Sequence, residues 1–154
     1  MITENLIRQA QEKWAQSLIT IGKAKAEGSD YKSLARQMVE KLYAFHSGPV
    51  LFKPTRAADQ QFRLTKEAAL AYFIGDSHEF PEDGGFALQQ WVEVKFENVG
   101  FLLFNDHAIA MGNYYFTAPD GNVIKVEYTL GYVQDEKNNL LINLHHSSLP
   151  FSKD

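Results

Sequence analysis

No cysteine occurs in the chain. That excludes disulfides, thiolate nucleophiles and thiolate metal ligands together, so any metal would have to be held by histidine, aspartate or glutamate. No run approaches the roughly 18 consecutive apolar residues that would argue for a membrane-spanning helix. Basic charge is also scarce: 15 lysines and arginines stand against 19 acidic residues, for a net charge of -4. They are scattered rather than gathered in the basic stripe that neutralises a phosphate backbone, so nucleic acid is not expected as a partner. The opening MITENLIRQAQEKWAQ has neither the basic flank nor the apolar stretch of a secretory leader. The expectation is a soluble, cytoplasmic protein with no membrane contact.

What is present suits one compact unit. Hydrophobic residues make up 45% and aromatics 13% of 154 residues, enough for a substantial core and without a low-complexity signature. A single domain over residues 1–154 is expected.

Leu6, Ala10, Trp14, Leu18 and Ile21 recur every three to four positions, which predicts a helix from about Thr3 to Glu27, stopped by Gly28. Ser29 and Asp30 can cap a second helix, carrying Tyr31, Leu34, Met38, Val39 and Leu42 on one stripe. VLFKPT and QFRLT read as short extended segments, with Pro54 favouring a sheet edge for the first. Thr65 offers an N-cap to a short helix ending at Ile74, and Glu67 complements its dipole. GDSHEFPEDGG follows as a loop. From Leu88 onward four segments alternate in the manner of strands, joined by Asn105-Asp106, PDGN and DEKNN. Helices first and an antiparallel meander afterwards predict an α+β fold whose N-terminal helices pack on one face of a curved sheet.

The closing strand, INLHHSSLP, carries the densest polar chemistry. Strict alternation puts Asn143, His145 and Ser147 on one face and Ile142, Leu144, His146 and Ser148 on the other. The two histidines therefore point apart and cannot chelate one metal from a regular strand. The first set can be a hydrogen-bonding pocket wall or a solvated outer face; spacing leaves both open. His146 reads as a structural or interface residue. In GNYYFT the same alternation separates Asn113, Tyr115 and Thr117 from Gly112, Tyr114 and Phe116. The cluster Asp76, His78, Glu79, Glu82 and Asp83 has no calcium-loop spacing and reads as an acidic surface loop. No G-x-S-x-G elbow or H-E-x-x-H helix occurs.

The blocks VLFKPT, FRLTKEAALAYFIG, FPEDGGFAL, AMGNYYFT, KVEYTLGY and LHHSSLPF, in this order from Val50 to Phe151, resemble the iota-class carbonic anhydrases. INLHHSSLP by itself is similar to the end of the calcium/calmodulin-dependent kinase II association domain. Both groups belong to the SnoaL-like branch of the nuclear-transport-factor-two-like superfamily. The resemblance implies a cone-shaped, cystatin-like α+β fold, homodimers, and reversible hydration of carbon dioxide to bicarbonate. It leaves the cofactor open between none and a divalent ion such as zinc or manganese; the absence of cysteine favours none. For metal-free members it implies a functional threonine, tyrosine and serine, which fall on Thr55, Tyr72 and Ser147 as groups that both bind substrate and act in catalysis. Phe73 cannot replace Tyr72, whereas Ser148 competes with Ser147. Asn113 and Tyr115 are further substrate-binding candidates, and His145, on the face of Ser147, is a candidate proton relay if it titrates near neutrality. Two other readings stand beside this one. The same fold can serve as a non-catalytic ligand-binding or oligomerisation module. It can also serve as an isomerase-type enzyme, for which Glu127 would be the carboxylate base.

Overall fold

The protein is described from a computed structural model covering residues 1–153. Helix α1 (Glu4–Ala26) begins where the Thr3 hydroxyl accepts from the Leu6 amide at 3.2 Å. It ends at Gly28, whose φ of +74° lets the Ser29 amide reach back to the Ala24 carbonyl at 2.8 Å. Its buried stripe is Ile7, Gln11, Trp14, Leu18 and Ile21. Leu6 and Ala10, expected on that stripe, lie at its margin because the polar Gln11 takes the inward position.

Helix α2 (Tyr31–Leu42) is capped by Asp30, which accepts from the Ser33 amide at 3.1 Å. Helix α3 (Lys66–Ile74) is capped by Thr65 as expected and buries Ala68, Ala69, Ala71, Tyr72 and Phe73. Apolar residues on nearly every side of α3 suit a helix packed between other elements.

The sheet has the order β1-β5-β4-β3-β2, with β1 (Leu51–Lys53), β2 (Glu93–Leu103), β3 (His107–Thr117), β4 (Val123–Gln134) and β5 (Leu140–Ser148). The last four form the expected antiparallel meander. β1 joins as an edge strand, parallel to β5, with Phe52 opposite His145. That pairing is the long-range contact that sets the site, since it carries the chain after Phe52 over the end of β5.

Two expectations need correction. QFRLT is not a strand: residues 61–64 are irregular, because the Arg63 guanidinium folds inward instead of alternating. It forms a two-pronged ion pair with Asp83, at 2.7 Å for each prong, donates to the Gln60 and Ala68 carbonyls, and lies 4.2 Å from the Phe80 ring centroid. Nor is the acidic loop a merely solvated surface. Asp83 is fully buried against Arg63, and Glu82 accepts from the backbone amides of Ala58, Asp59 and Gln60. Those amide bonds hold the Glu82 carboxyl below its usual range. A single turn of 3-10 helix (Phe86–Gln89), unsignalled by periodicity, packs against α1 and α3 and sets the Phe86 ring edge-on to Phe116 of β3, 5.1 Å between centroids.

Candidate active site

β5 delivers the first components. Its alternation is interrupted by one extra residue: Gly131 pairs with Leu144 but Tyr132 pairs with Ile142, leaving Asn143 in a bulge. A Cβ on Gly131 would stand 2.8 Å from Leu144 Cβ and 2.9 Å from Asn143 Oδ1, so glycine permits the close approach. The bulge shifts the phase of the strand. Ile142, His145 and Ser147 turn inward, whereas Asn143 leaves the face it was expected to share. His145 and Ser147 are both buried, and His146 is exposed on the other side.

His145 sits in an aromatic cage. Its ring stacks on Phe52 at 4.8 Å between centroids and meets Trp14 edge-on at 5.7 Å. Nδ1 is 2.8 Å from the Tyr43 hydroxyl, and Nε2 is 3.1 Å from the Tyr114 hydroxyl and 3.4 Å from Ser147 Oγ. Burial, reinforced by the neighbouring His146, pushes its pKa down to about 3. That burial favours the neutral ring and speaks against the expected relay by an imidazole titrating near neutrality.

Tyr114 is the centre. Its hydroxyl is hydrogen-bonded to Ser147 Oγ, and the Thr55 side chain lies beside it and beside the Tyr72 hydroxyl. The Tyr72 hydroxyl also accepts from the Arg56 amide at 3.2 Å. Three distant segments thus meet around one phenol: Thr55 from the loop after β1, Tyr72 from α3 and Ser147 from β5. Thr55 is half-buried and Arg56 exposed, so the cluster approaches solvent on that side. Lys53 Nζ donates to the Ser147 carbonyl at 2.9 Å and tethers β1 to the end of β5.

Burial raises the phenols: Tyr72 is pushed up to about 12, opposed by the Arg56 amide and by the charge of its guanidinium, and Tyr114 is pushed up further. None of these hydroxyls is a base at neutral pH. What surrounds them is aromatic carbon: Phe86 stacks on Tyr72 at 5.6 Å, Phe52 meets it edge-on at 6.0 Å, and Phe116 packs against Tyr114 at 4.7 Å. The arrangement provides neutral donors inside an apolar shell, suited to a small anion or to charge that develops during a reaction.

Asn113 and Tyr115 do not join this cluster. They lie on the opposite face of β3, where both donate to Glu97 Oε1, at 3.0 and 3.1 Å. The inward face of β3 is Ala108, Ala110, Gly112, Tyr114 and Phe116. Small and aromatic residues on alternate positions were the available signal, and they single out Tyr114. Trp14 and Tyr43, which reach His145 from α1 and the end of α2, carried no such signal. Glu127 is exposed, so no buried carboxylate base stands on β4. Among the described residues no group of three or more His, Asp or Glu side chains is arranged to hold a metal ion, so the donor set does not fit zinc or manganese. A cleft of about 1030 Å³ lies elsewhere, between α1, the end of α2 and the β4–β5 turn.

Comparison with known proteins places these features in context. Residues 5–149 match the family model described as metal-independent carbonic anhydrase. A metal-independent carbonic anhydrase of Nostoc sp. is 40% identical over 99% of this chain and 76% of its own length. The crystal structure of the iota-carbonic anhydrase from a cyanobacterium, complexed with bicarbonate, superimposes with a TM-score of 0.95 at 37% identity, over 99% of this chain and 94% of that one. A calcium/calmodulin-dependent kinase II association-domain protein of Xanthomonas campestris shares the fold at 19% identity and a TM-score of 0.65, over 94% and 85% of the two chains.

Proposed function

Because the chain belongs to the metal-independent carbonic anhydrase family, it is an iota-class carbonic anhydrase interconverting carbon dioxide and bicarbonate, and we propose that it does so at Thr55, Tyr72, Tyr114 and Ser147. The observation that carries this assignment is the Ser147 hydroxyl hydrogen-bonded to the Tyr114 phenol, with the Thr55 and Tyr72 side chains, remote in sequence, beside them.

In the hydration direction, carbon dioxide rests against Phe52, Phe86 and Phe116 and water attacks its carbon. One C–O bond forms, one π pair moves onto an oxygen, and the water's proton passes to bulk solvent. The negative charge spreads over oxygens that accept from the hydroxyls. With phenols raised by burial and His145 lowered, the cluster keeps its own protons at neutral pH and acts as a fixed set of donors. The hydroxyls contact one another within the protein, so bicarbonate exchanges hydroxyl-to-hydroxyl bonds for stronger hydroxyl-to-anion bonds. Arg56, exposed beside Tyr72, adds a favourable charge on the solvent side. Holding the reactants in attack geometry supplies a further share of the rate.

A homodimer is part of the same proposal. The family resemblance supports it, and so do Val99, Leu102 and Met111, which stand exposed on β2 and β3.

The test is carbon dioxide hydration followed with a pH indicator, on protein treated with a chelator and checked for residual metal. The wild type retains its rate, and Ser147→Ala and Tyr72→Phe each lower kcat/KM by about 10²–10³, the usual loss for one oxyanion donor. Activity that returns only with added metal, or that survives both substitutions, rules the assignment out.

A further inference from the structure

His145 has two ring nitrogens, and a neutral imidazole carries one proton. Which nitrogen holds it follows from the far end of the hydrogen-bond chain. Trp14 Nε1–H can only donate, and it does so to the Tyr43 oxygen at 3.0 Å. Tyr43 is fully buried, and its hydroxyl contacts only Trp14 and His145 Nδ1. Trp14 offers no acceptor, so the Tyr43 proton has one destination, His145 Nδ1. That nitrogen is then the acceptor and Nε2 carries the hydrogen, directed at the Tyr114 oxygen.

The consequence continues to the hydroxyl cluster. The Tyr114 oxygen receives the His145 proton and is also bonded to Ser147. Whichever of those two hydroxyls donates to the other, the pair retains one proton that neither consumes. It is available to Thr55 or to an anion beside it. We propose that Trp14 and Tyr43 are positioning residues that lock His145 as its Nε2–H tautomer, so that the imidazole is a permanent donor to Tyr114 and the cluster always presents a proton to bicarbonate.

The lock also makes the chain a dead end for proton transfer. An indole N–H cannot relay, so no proton leaves the site through Tyr43, and the exit lies on the Thr55 and Arg56 side. The proposal rests on the hydroxyl-cluster reading, although its first test does not need activity.

Long-range nitrogen-15 correlation spectra of the wild type, recorded from pH 5 to 9, should show a protonated Nε2 and an unprotonated Nδ1 for His145, unchanged across the range. A dominant Nδ1–H form, or an imidazolium appearing in that range, overturns the lock. Tyr43→Phe, which keeps the ring and removes only the hydroxyl, should mix the two tautomers and lower kcat by ~10–100-fold with little change in KM, the size expected for a group that orients a functional imidazole. Trp14→Phe should mix them less, because Tyr43 can still donate. An unchanged tautomer in Tyr43→Phe also overturns the proposal; should that variant not fold, the wild-type spectrum decides alone. Nε2–H in a protein without hydration activity would refute the functional reading and leave the lock standing.

Discussion

Acidification offers a direct measure of how completely His145 is withdrawn from solvent. In the unfolded chain the imidazole titrates near 6.5; in the folded protein burial holds it at about 3. The folded state therefore binds fewer protons than the unfolded state between those values, and stability falls as the pH drops through 6.5 toward 3. Each pH unit well inside that window costs about 1.4 kcal/mol. Between pH 7.5 and 5.0, where the unfolded imidazole goes from one-tenth to almost fully protonated, the loss comes to about 2 kcal/mol. For a chain of this length that corresponds to roughly 4–8 °C in Tm. Stopping at pH 5 keeps the measurement above the range in which Glu82 and the other paired carboxylates lose their stabilisation. The assay is urea denaturation at several pH values, for the wild type and for His145→Gln. The quantity compared is the slope of stability against pH, because the substitution also changes stability at a fixed pH. The wild type should lose about 2 kcal/mol more than the variant over the interval. Equal slopes would refute the reasoning: the imidazole would then be hydrated, or paired with an anion, in the folded protein. The neutral donor on which the site depends would be gone with it.

Two further substitutions probe the scaffold around the cluster. Asp83→Ala leaves the fully buried Arg63 guanidinium without its two-pronged partner and should destabilise the fold by about 3–5 kcal/mol, read from urea or thermal unfolding; a loss below 1 kcal/mol would mean that the charge is solvated. Gly131→Ala places a methyl against Leu144 and Asn143 where the bulge sets the phase of β5. It should lower stability by about 1–3 kcal/mol and reduce hydration activity with it, and a fully active, equally stable variant would show that the bulge does not hold His145 and Ser147 inward.

Local patterns were legible in the chain wherever a single element bears the constraint. The helix over residues 31–42 and its Asp30 cap follow from apolar spacing and capping chemistry, as does the Thr65-capped helix ending at Ile74. The meander follows from period-two alternation and its turn residues. The resemblance carried by six ordered blocks identified the family, and it brought Thr55, Tyr72 and Ser147 forward as a set before any of them had a position in space. What misled was choosing a face. Alternation in GNYYFT separates Tyr114 from Asn113 and Tyr115 but does not say which side meets the helices. In INLHHSS, one bulged residue inverted the expected company of Asn143.

The sequence by itself therefore determined the α+β class, the order of the elements, the family and the stock of uncharged hydroxyls, because spacing, capping and composition act within a few residues of each other. Only the tertiary structure decided that Tyr114 is the meeting point and that His145 is a buried neutral ring. It also decided that Trp14, 131 positions earlier in the chain, stands behind the orientation of that ring. Burial and hydrogen-bond direction depend on which distant groups arrive at the same place, and that is set by the parallel pairing of β1 with β5 and by the packing of α1 across the sheet.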